Sequence, residues 1–228
     1  MSGVLNFLVS YWDSISGYLP GFFKASLVVL ELTVGTVLLS WGCGLVAALG
    51  KTSHIKIVRV PCDFYVWFFR GTPTLIQVFL VYFGLPQFGV RFSPFVAGVL
   101  ALGVNSGSYV AEIVRSGLTA IQPGQMESAR ALGMPVFLAM KRIILPQVVR
   151  IIIPPITNEA ITMLKNTSLV STITVLELTL YAQFIIAKTF RPFDFYIITA
   201  ILYLIMTTVL TQLANRMEKR FGLAYERK

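Results

Sequence analysis

Charged side chains are scarce in this sequence. Asp, Glu, Lys and Arg make up 13% of its 228 residues, about half of the share that is usual in soluble domains. Hydrophobic residues account for 56%, and the mean hydropathy is +0.76. This composition excludes an ordinary soluble domain, a disordered chain and a coiled coil, and it predicts an integral membrane protein.

The sequence is also poor in residues that hold metals or act as nucleophiles. It has one histidine, His54, and two cysteines, Cys43 and Cys62, which lie in or near separate apolar segments. Neither residue type has the spacing of a metal site or of a disulfide scaffold. The sequence therefore predicts no metal site and no catalytic residue, and a membrane enzyme becomes a remote alternative.

Apolar stretches long enough to cross a membrane are abundant. A spanning helix needs about 20 mostly apolar residues, and five stretches qualify, of which the second is interrupted from Arg70 to Pro73. They run from about Ala25 to Leu49, Val60 to Leu85, Pro94 to Val114, Ile151 to Ile173 and Phe193 to Leu213. The predicted fold class is all-α, with five transmembrane helices that follow an interfacial lead-in over residues 1–24.

The net charge of +9 is distributed between the apolar stretches. A nucleic-acid-binding surface would instead cluster basic residues with aromatic ones, so no nucleic-acid partner is expected. Excess positive charge stays on the cytoplasmic side of a membrane. With the N-terminus outside, 13 of the 19 basic residues are cytoplasmic and 4 are external. The distribution predicts an N-out, C-in orientation and a basic cytoplasmic tail over 216–228.

The loop between the third and fourth stretches, about 115–150, has helical punctuation of its own. Pro123 breaks the chain, Met126 to Leu132 can form two helical turns, and Gly133 suits a left-handed cap. A short isolated helix is unstable by propensity alone. We therefore expect this helix to pack against another protein, through a face that includes Ala129.

The same loop carries a spaced motif. It reads Glu127, Ser128, Ala129, three residues, Gly133, nine residues, Ile143, one residue, Leu145 and Pro146. This pattern resembles the EAA loop of the membrane subunits of bacterial ABC importers, with Ser128 where the family usually has alanine. Phe69 to Pro73 and Asn158 to Leu169 resemble the polar amino-acid branch of these permeases.

The resemblance implies a type I permease domain over 25–215 in the bacterial inner membrane. It also implies two ATPase subunits, a second permease subunit of the same or a related chain, and a periplasmic substrate-binding protein. The chain itself would not be an enzyme and would hold no cofactor, since ATP and Mg²⁺ would bind to the ATPase subunits. The loop would form the coupling helix, with Glu127, Ser128, Ala129 and Gly133 at the contact with the ATPase.

Two groups of polar residues inside the apolar stretches are candidates for the substrate path. Arg70, Gly71 and Thr72 mark a broken helix that we place near the bilayer midplane, where an arginine can pair with an amino-acid carboxylate. The alternative is that Arg70 pairs with a buried acid and is structural. Asn105 is a weaker candidate, because it lies in a Gly103 to Gly107 spacing that is typical of helix packing.

The fourth stretch contributes the second group. Glu159, Thr162 and Asn166 share one helical face, and Glu159 can neutralise a cationic side chain of the substrate. The alternative is an internal ion pair of Glu159 with Lys165 or Arg70. Glu112 lies three residues before Arg115 in the third stretch, and we predict an ordinary ion pair between them.

These residues lead to one main expectation and two alternatives. The main expectation is a permease for polar, possibly cationic, amino acids such as arginine, lysine or histidine. The first alternative is a glutamate or glutamine importer, or one for another neutral or acidic amino acid. The remote alternative is a stand-alone secondary transporter in which Arg70 and Glu159 couple transport to an ion.

Overall fold

All regular secondary structure is helical in the computed structural model, which describes residues 14 to 220. Nine α-helices follow one another in this range: α1 (Leu19–Lys51), α2 (Lys56–Gly71), α3 (Thr74–Phe79), α4 (Pro94–Thr119), α5 (Pro123–Ala131), α6 (Val136–Ala139), α7 (Leu145–Asn166), α8 (Leu178–Thr189) and α9 (Pro192–Arg220). The predicted all-α class is confirmed. Much of the predicted lead-in and most of the predicted tail lie outside the described residues.

Three helical segments, which contain α1, α4 and most of α9, are long and apolar enough to cross a membrane by themselves. They are Ser14–Lys51, Pro94–Thr119 and Pro192–Lys219. A fourth span is formed if Lys56–Gly71 and Thr74–Phe88, which are bent by 110° relative to each other, are counted together. The structure therefore supports three or four spans on length and composition. The orientation of these spans remains a prediction.

The fourth predicted stretch does not qualify by itself. Its α-helix, α7, ends at Asn166, and a 3₁₀ segment continues to Ile173. The helix contains Arg150, Glu159 and Lys165, and charges at these intervals lower its mean hydropathy. Five spans thus remain a prediction that depends on α7 crossing the membrane with polar side chains turned toward protein.

The bend in the second span follows from local sequence. Thr72 is extended, with φ −117° and ψ 148°, as expected for a residue that precedes proline. Pro73 caps α3 and has no amide hydrogen to continue the helix. The predicted interruption between Arg70 and Pro73 is therefore confirmed.

Helices α1 and α4 form the most extensive contact between helices and position the candidate site. A Cβ atom on Gly107 would lie 2.8 Å from the Cβ atom of Cys43 and 3.3 Å from the Ser40 carbonyl oxygen. Only glycine allows so close an approach of two helix backbones. The predicted packing role of the Gly103 to Gly107 spacing is confirmed.

Candidate substrate path and coupling surface

The backbone groups freed at the break in the second span are satisfied by two buried amide side chains. Gln77 Nε2 donates to the carbonyl oxygens of Phe69 at 3.0 Å and Thr72 at 3.1 Å. Asn105 Nδ2 on α4 donates to the Phe69 carbonyl at 3.1 Å and to Gln77 Oε1 at 2.9 Å. Both amide residues are only 2% exposed. The network thus fixes the bend against α4.

Two of the residues predicted to contact substrate, Thr72 and Asn105, belong to this network. The Thr72 hydroxyl donates to the Phe68 carbonyl at 2.9 Å and accepts from Gln77 at 2.7 Å. In this conformation their polar groups bind other parts of the chain. Sequence reasoning missed Gln77, although an amide in an apolar stretch just after a proline break was the signal for it.

Replacing Gln77 by methionine is expected to destabilise the protein. The change keeps the volume but leaves the Thr72 carbonyl and part of the Asn105 amide without partners, at a cost of about 2 kcal/mol. That cost corresponds to a fall of about 4–8 °C in the apparent melting midpoint of the detergent-purified protein. The control is Gln87→Met, because Gln87 is exposed. Equal midpoints for the two variants would contradict a structural role for the network.

Arg70 lies in the last turn of α2, directly before the break. Its guanidinium carbon is 5.4 Å from the centre of the Tyr109 ring, and Nη1 is 3.8 Å from Glu112 Oε2. Its side chain is 45% exposed, and among the described residues no acceptor forms a hydrogen bond with it. Arg70 is therefore positioned by the ring and the carboxylate while its N–H groups are available.

Glu112 is the centre of an ion cluster. Lys51 at the end of α1 donates to Oε1 at 2.5 Å, and Arg115 donates to Oε2 through Nε at 3.0 Å and Nη2 at 2.9 Å. The predicted pair with Arg115 is confirmed. The contact with Lys51 was not predicted, whereas the contact with Arg70 is the acid pairing that the sequence left open as the structural alternative for Arg70. These contacts connect three helices at one carboxylate.

A cavity of about 470 Å³ opens beside this cluster. We call it the Arg70 cavity. Its lining contains both signs of charge, two aromatic rings and the glycine that ends α2: Lys51, Asp63, Val66, Trp67, Arg70, Gly71, Tyr109 and Glu112. Asp63 approaches Lys51 at 3.5 Å, so the described charges on this wall are largely balanced in pairs.

Glu159 on α7 contacts α4 at Ser106, six residues before Glu112. The Ser106 hydroxyl donates to Glu159 Oε1 at 2.8 Å. Neither predicted ion pair, with Lys165 or with Arg70, is present among the described residues, and Lys165 is exposed. The carboxylate therefore reaches a neutral partner, because Arg70 is directed to Tyr109 and Glu112 instead.

The remaining two candidates on α7 are half-buried, like Glu159. The Thr162 hydroxyl donates to the Asn158 carbonyl at 3.0 Å. Asn166 is the last residue of α7. Glu159, Thr162 and Asn166 therefore lie on one partly buried face of α7, and Lys165 lies on another face, which is exposed.

Helix α4 contacts both Glu159 and Arg70, at successive positions along its length. Ser106, Tyr109 and Glu112 follow at intervals of three residues, about 4.5 Å each. Ser106 contacts Glu159, Tyr109 contacts Arg70, and Glu112 contacts Arg70 again. The structure thus brings Arg70 and Glu159 to one helix, about one turn apart.

The loop between α4 and α7 forms the predicted short helix, α5. Gly133, just after its end, has φ +80°. The Gly133 amide donates to the Arg130 carbonyl at 3.0 Å, and the Met134 amide donates to the Ala129 carbonyl at 3.1 Å. These two bonds form a Schellman motif, which a glycine favours. The predicted cap at Gly133 is confirmed.

The face of α5 that is free to bind differs from the expected one. Ala129 is only 1% exposed, and α5 lies against the chain's own segments Val136–Ala139 and Met140–Ile144. Ala129 is therefore on the buried face of α5 and is not accessible to a partner protein. Glu127 and Ser128 are exposed on its other face.

Exposed apolar side chains that sequence reasoning missed surround the cap. Leu132 is 82% exposed, and Val136 and Phe137 are also exposed. We call Glu127, Ser128, Leu132, Val136 and Phe137 the coupling surface. Large apolar side chains in a charged loop are typical of a protein-binding surface.

Comparison with known proteins identifies the family. Residues 40–223 match the family described as "Binding-protein-dependent transport system inner membrane component". The putative glutamine transport system permease protein GlnP of Rickettsia bellii (strain RML369-C) is 37% identical over 198 residues, which are 86% of this chain and 91% of that protein. The probable glutamine ABC transporter permease protein GlnM of Bacillus subtilis (strain 168) is 35% identical over 214 residues, 94% of this chain and 97% of that protein.

A solved structure shares the fold. It is described as "Crystal structure of an amino acid ABC transporter with histidines", is 42% identical, and has a TM-score of 0.87 over 92% of this chain and 98% of its own. The EAA-loop resemblance is confirmed by these matches. The chain belongs to the binding-protein-dependent transport system inner membrane components and is a permease subunit of an amino-acid ABC importer.

Proposed function

We propose that this permease imports a neutral polar amino acid, with glutamine as the first candidate, across the bacterial inner membrane. It acts in a complex with two ATPase subunits, a second permease subunit and a periplasmic substrate-binding protein. The ATPase subunits bind ATP and Mg²⁺. The names of GlnP and GlnM support this alternative rather than the cationic substrates that the sequence analysis placed first.

The observation that carries the proposal is the state of Arg70. Its guanidinium lies over Tyr109, faces a cavity and forms no hydrogen bond within the described part of the chain. A guanidinium offers a planar pair of donors that matches a carboxylate. In our proposal Arg70 binds the carboxylate of the amino acid.

Glu159 supplies the opposite charge. It lies about one helical turn from Arg70 along α4 and is held by Ser106. In our proposal Glu159 pairs with the ammonium group that every amino acid carries. Gly71 lines the cavity, and Thr162 and Asn166 lie on the same face of α7 as Glu159, where they offer polar groups to an uncharged side chain.

The charges on the path support a neutral side chain. Among the described residues, Arg70 with its available N–H groups and Glu159 without an ionic partner match a zwitterion, and a cationic side chain would require a further acid. Glu112 does not provide one, because Lys51 and Arg115 already neutralise it. Burying an unmatched charge is costly in a membrane, so a substrate without a side-chain charge fits better.

Uptake into proteoliposomes tests this function. The vesicles contain the permease with its ATPase subunits, and the binding protein is added outside. We expect ATP-dependent uptake of glutamine that exceeds uptake of arginine at least roughly tenfold, since an unmatched buried charge costs more than 1.4 kcal/mol. A preference for arginine would restore the cationic alternative. Uptake driven by an ion gradient without ATP would favour a secondary transporter.

A further inference from the structure

We propose that Glu112 is the release element of the substrate path. Its carboxylate competes with the substrate carboxylate for the Arg70 guanidinium and thereby promotes release toward the cytoplasm. This inference rests on the proposed role of Arg70 in binding the substrate.

The geometry between Arg70 and Glu112 is that of an incomplete ion pair. The closest atoms, Arg70 Nη1 and Glu112 Oε2, are 3.8 Å apart, whereas a direct charge-assisted hydrogen bond measures about 2.8 Å. A movement of about 1 Å would complete the bond. Two carboxylates at one guanidinium repel each other, so closer approach of Glu112 weakens the hold on a bound carboxylate.

Glu112 is fixed, and Arg70 is the group that can move. Lys51 and Arg115 hold the two carboxylate oxygens of Glu112 from α1 and from α4. Arg70 is partly exposed and precedes the bend between α2 and α3. A change in the rotamer of the exposed Arg70 side chain therefore changes its distance from Glu112 while Glu112 stays in place.

The position of Glu112 gives the competition a direction. Glu112 lies about 9 Å from Ser106 along α4, toward the helix end that the orientation places in the cytoplasm. Lys51, its partner on α1, is the last residue of that helix. The substrate site at Glu159 and Arg70 is thus deeper in the membrane than the competing carboxylate, which lies on the exit side.

The two cations beside Glu112 make it a weak competitor. Each oxygen of Glu112 already accepts a hydrogen bond from Lys51 or Arg115. An unpaired acid would bind Arg70 permanently and block the site. With its charge offset, Glu112 can lose Arg70 to an arriving substrate and regain it as the substrate leaves.

Equilibrium binding to the detergent-purified permease–ATPase complex tests the inference, with each of the twenty common amino acids as radiolabelled probes. For the amino acid that the wild type binds, Glu112→Gln is expected to raise affinity roughly tenfold, because a competing charge is removed. In proteoliposomes the same variant lowers KM and kcat together, since release becomes slower. Glu112→Asp keeps the charge but shortens its reach, so an intermediate gain in affinity is expected if Glu112→Gln fails to fold.

Glu31→Gln is the matched control. Glu31 is exposed on α1, and it lies about 30 Å along that helix from Lys51. Glu31 does not line the Arg70 cavity. The affinity of the Glu31→Gln variant for the amino acid should therefore equal that of the wild type.

The outcomes separate the inference from the proposed function. Loss of binding in Arg70→Gln together with tighter binding in Glu112→Gln supports both. Loss in Arg70→Gln with unchanged or weaker binding in Glu112→Gln overturns the role of Glu112 alone. Wild-type affinity in Arg70→Gln, or no binding of any amino acid by the wild type, overturns the proposed substrate site and the inference with it.

Discussion

Arg70→Gln is expected to reduce ATP-dependent glutamine uptake at least roughly a hundredfold. In our proposal the substrate carboxylate is buried against Arg70 in the bound state. Removing one partner of such a buried ion pair costs about 3–5 kcal/mol, and each 1.4 kcal/mol is about a tenfold change in affinity. Glutamine as a replacement keeps a donor but loses the charge and the paired N–H geometry. Uptake of radiolabelled substrate into proteoliposomes measures the effect.

The structure offers a control for this variant. Arg91 is exposed in the segment before α4 and receives the same substitution in Arg91→Gln without contacting the Arg70 cavity. Its uptake should match that of the wild type. A fall of less than about tenfold in Arg70→Gln, corresponding to 1.4 kcal/mol or less, would show that Arg70 is structural.

Gly133→Val is expected to separate ATP hydrolysis from transport. The backbone at Gly133 has φ +80°, which a β-branched residue adopts only with strain of about 1–3 kcal/mol. The strain would open the Schellman motif and turn Leu132 away from the coupling surface. We expect transport per ATP hydrolysed to fall roughly tenfold, because that strain acts on the one short helix that we assign to coupling.

Gly124, a glycine on α5 itself, provides the comparison. Gly124 lies within the first turn of α5, and a Cβ atom there would meet nothing within 4 Å. Gly124→Val should therefore keep the wild-type ratio of transport to hydrolysis. The coupling assignment of Glu127 and Gly133 would be wrong if Gly133→Val transported normally while its membrane insertion and ATPase association were intact.

The features that the sequence predicted correctly depend on neighbouring residues. The break after Arg70 follows from the proline at position 73, and the cap at Gly133 follows from a glycine at the end of a short helix. Local sterics decide both. The EAA spacing identified the family for a related reason, since it describes one continuous loop.

The features that the sequence did not predict depend on contacts between distant segments. Lys51 and Glu112 are 61 positions apart, and Gln77 and Asn105 are 28 apart. No helical or strand periodicity in the sequence indicates that the two residues of either pair are in contact. The small side chain of Ala129 suits any close contact and therefore predicts contact with another protein, whereas in the fold Ala129 is buried and α5 lies against Met140–Ile144.

The close approach at Gly107 also limits how the transporter can change shape. With the Cβ atom of Cys43 directly against it, Gly107 has no room for a side chain, and this close packing opposes sliding of one helix past the other. We therefore expect the first and third spans to move together as one rigid pair when the transporter changes shape.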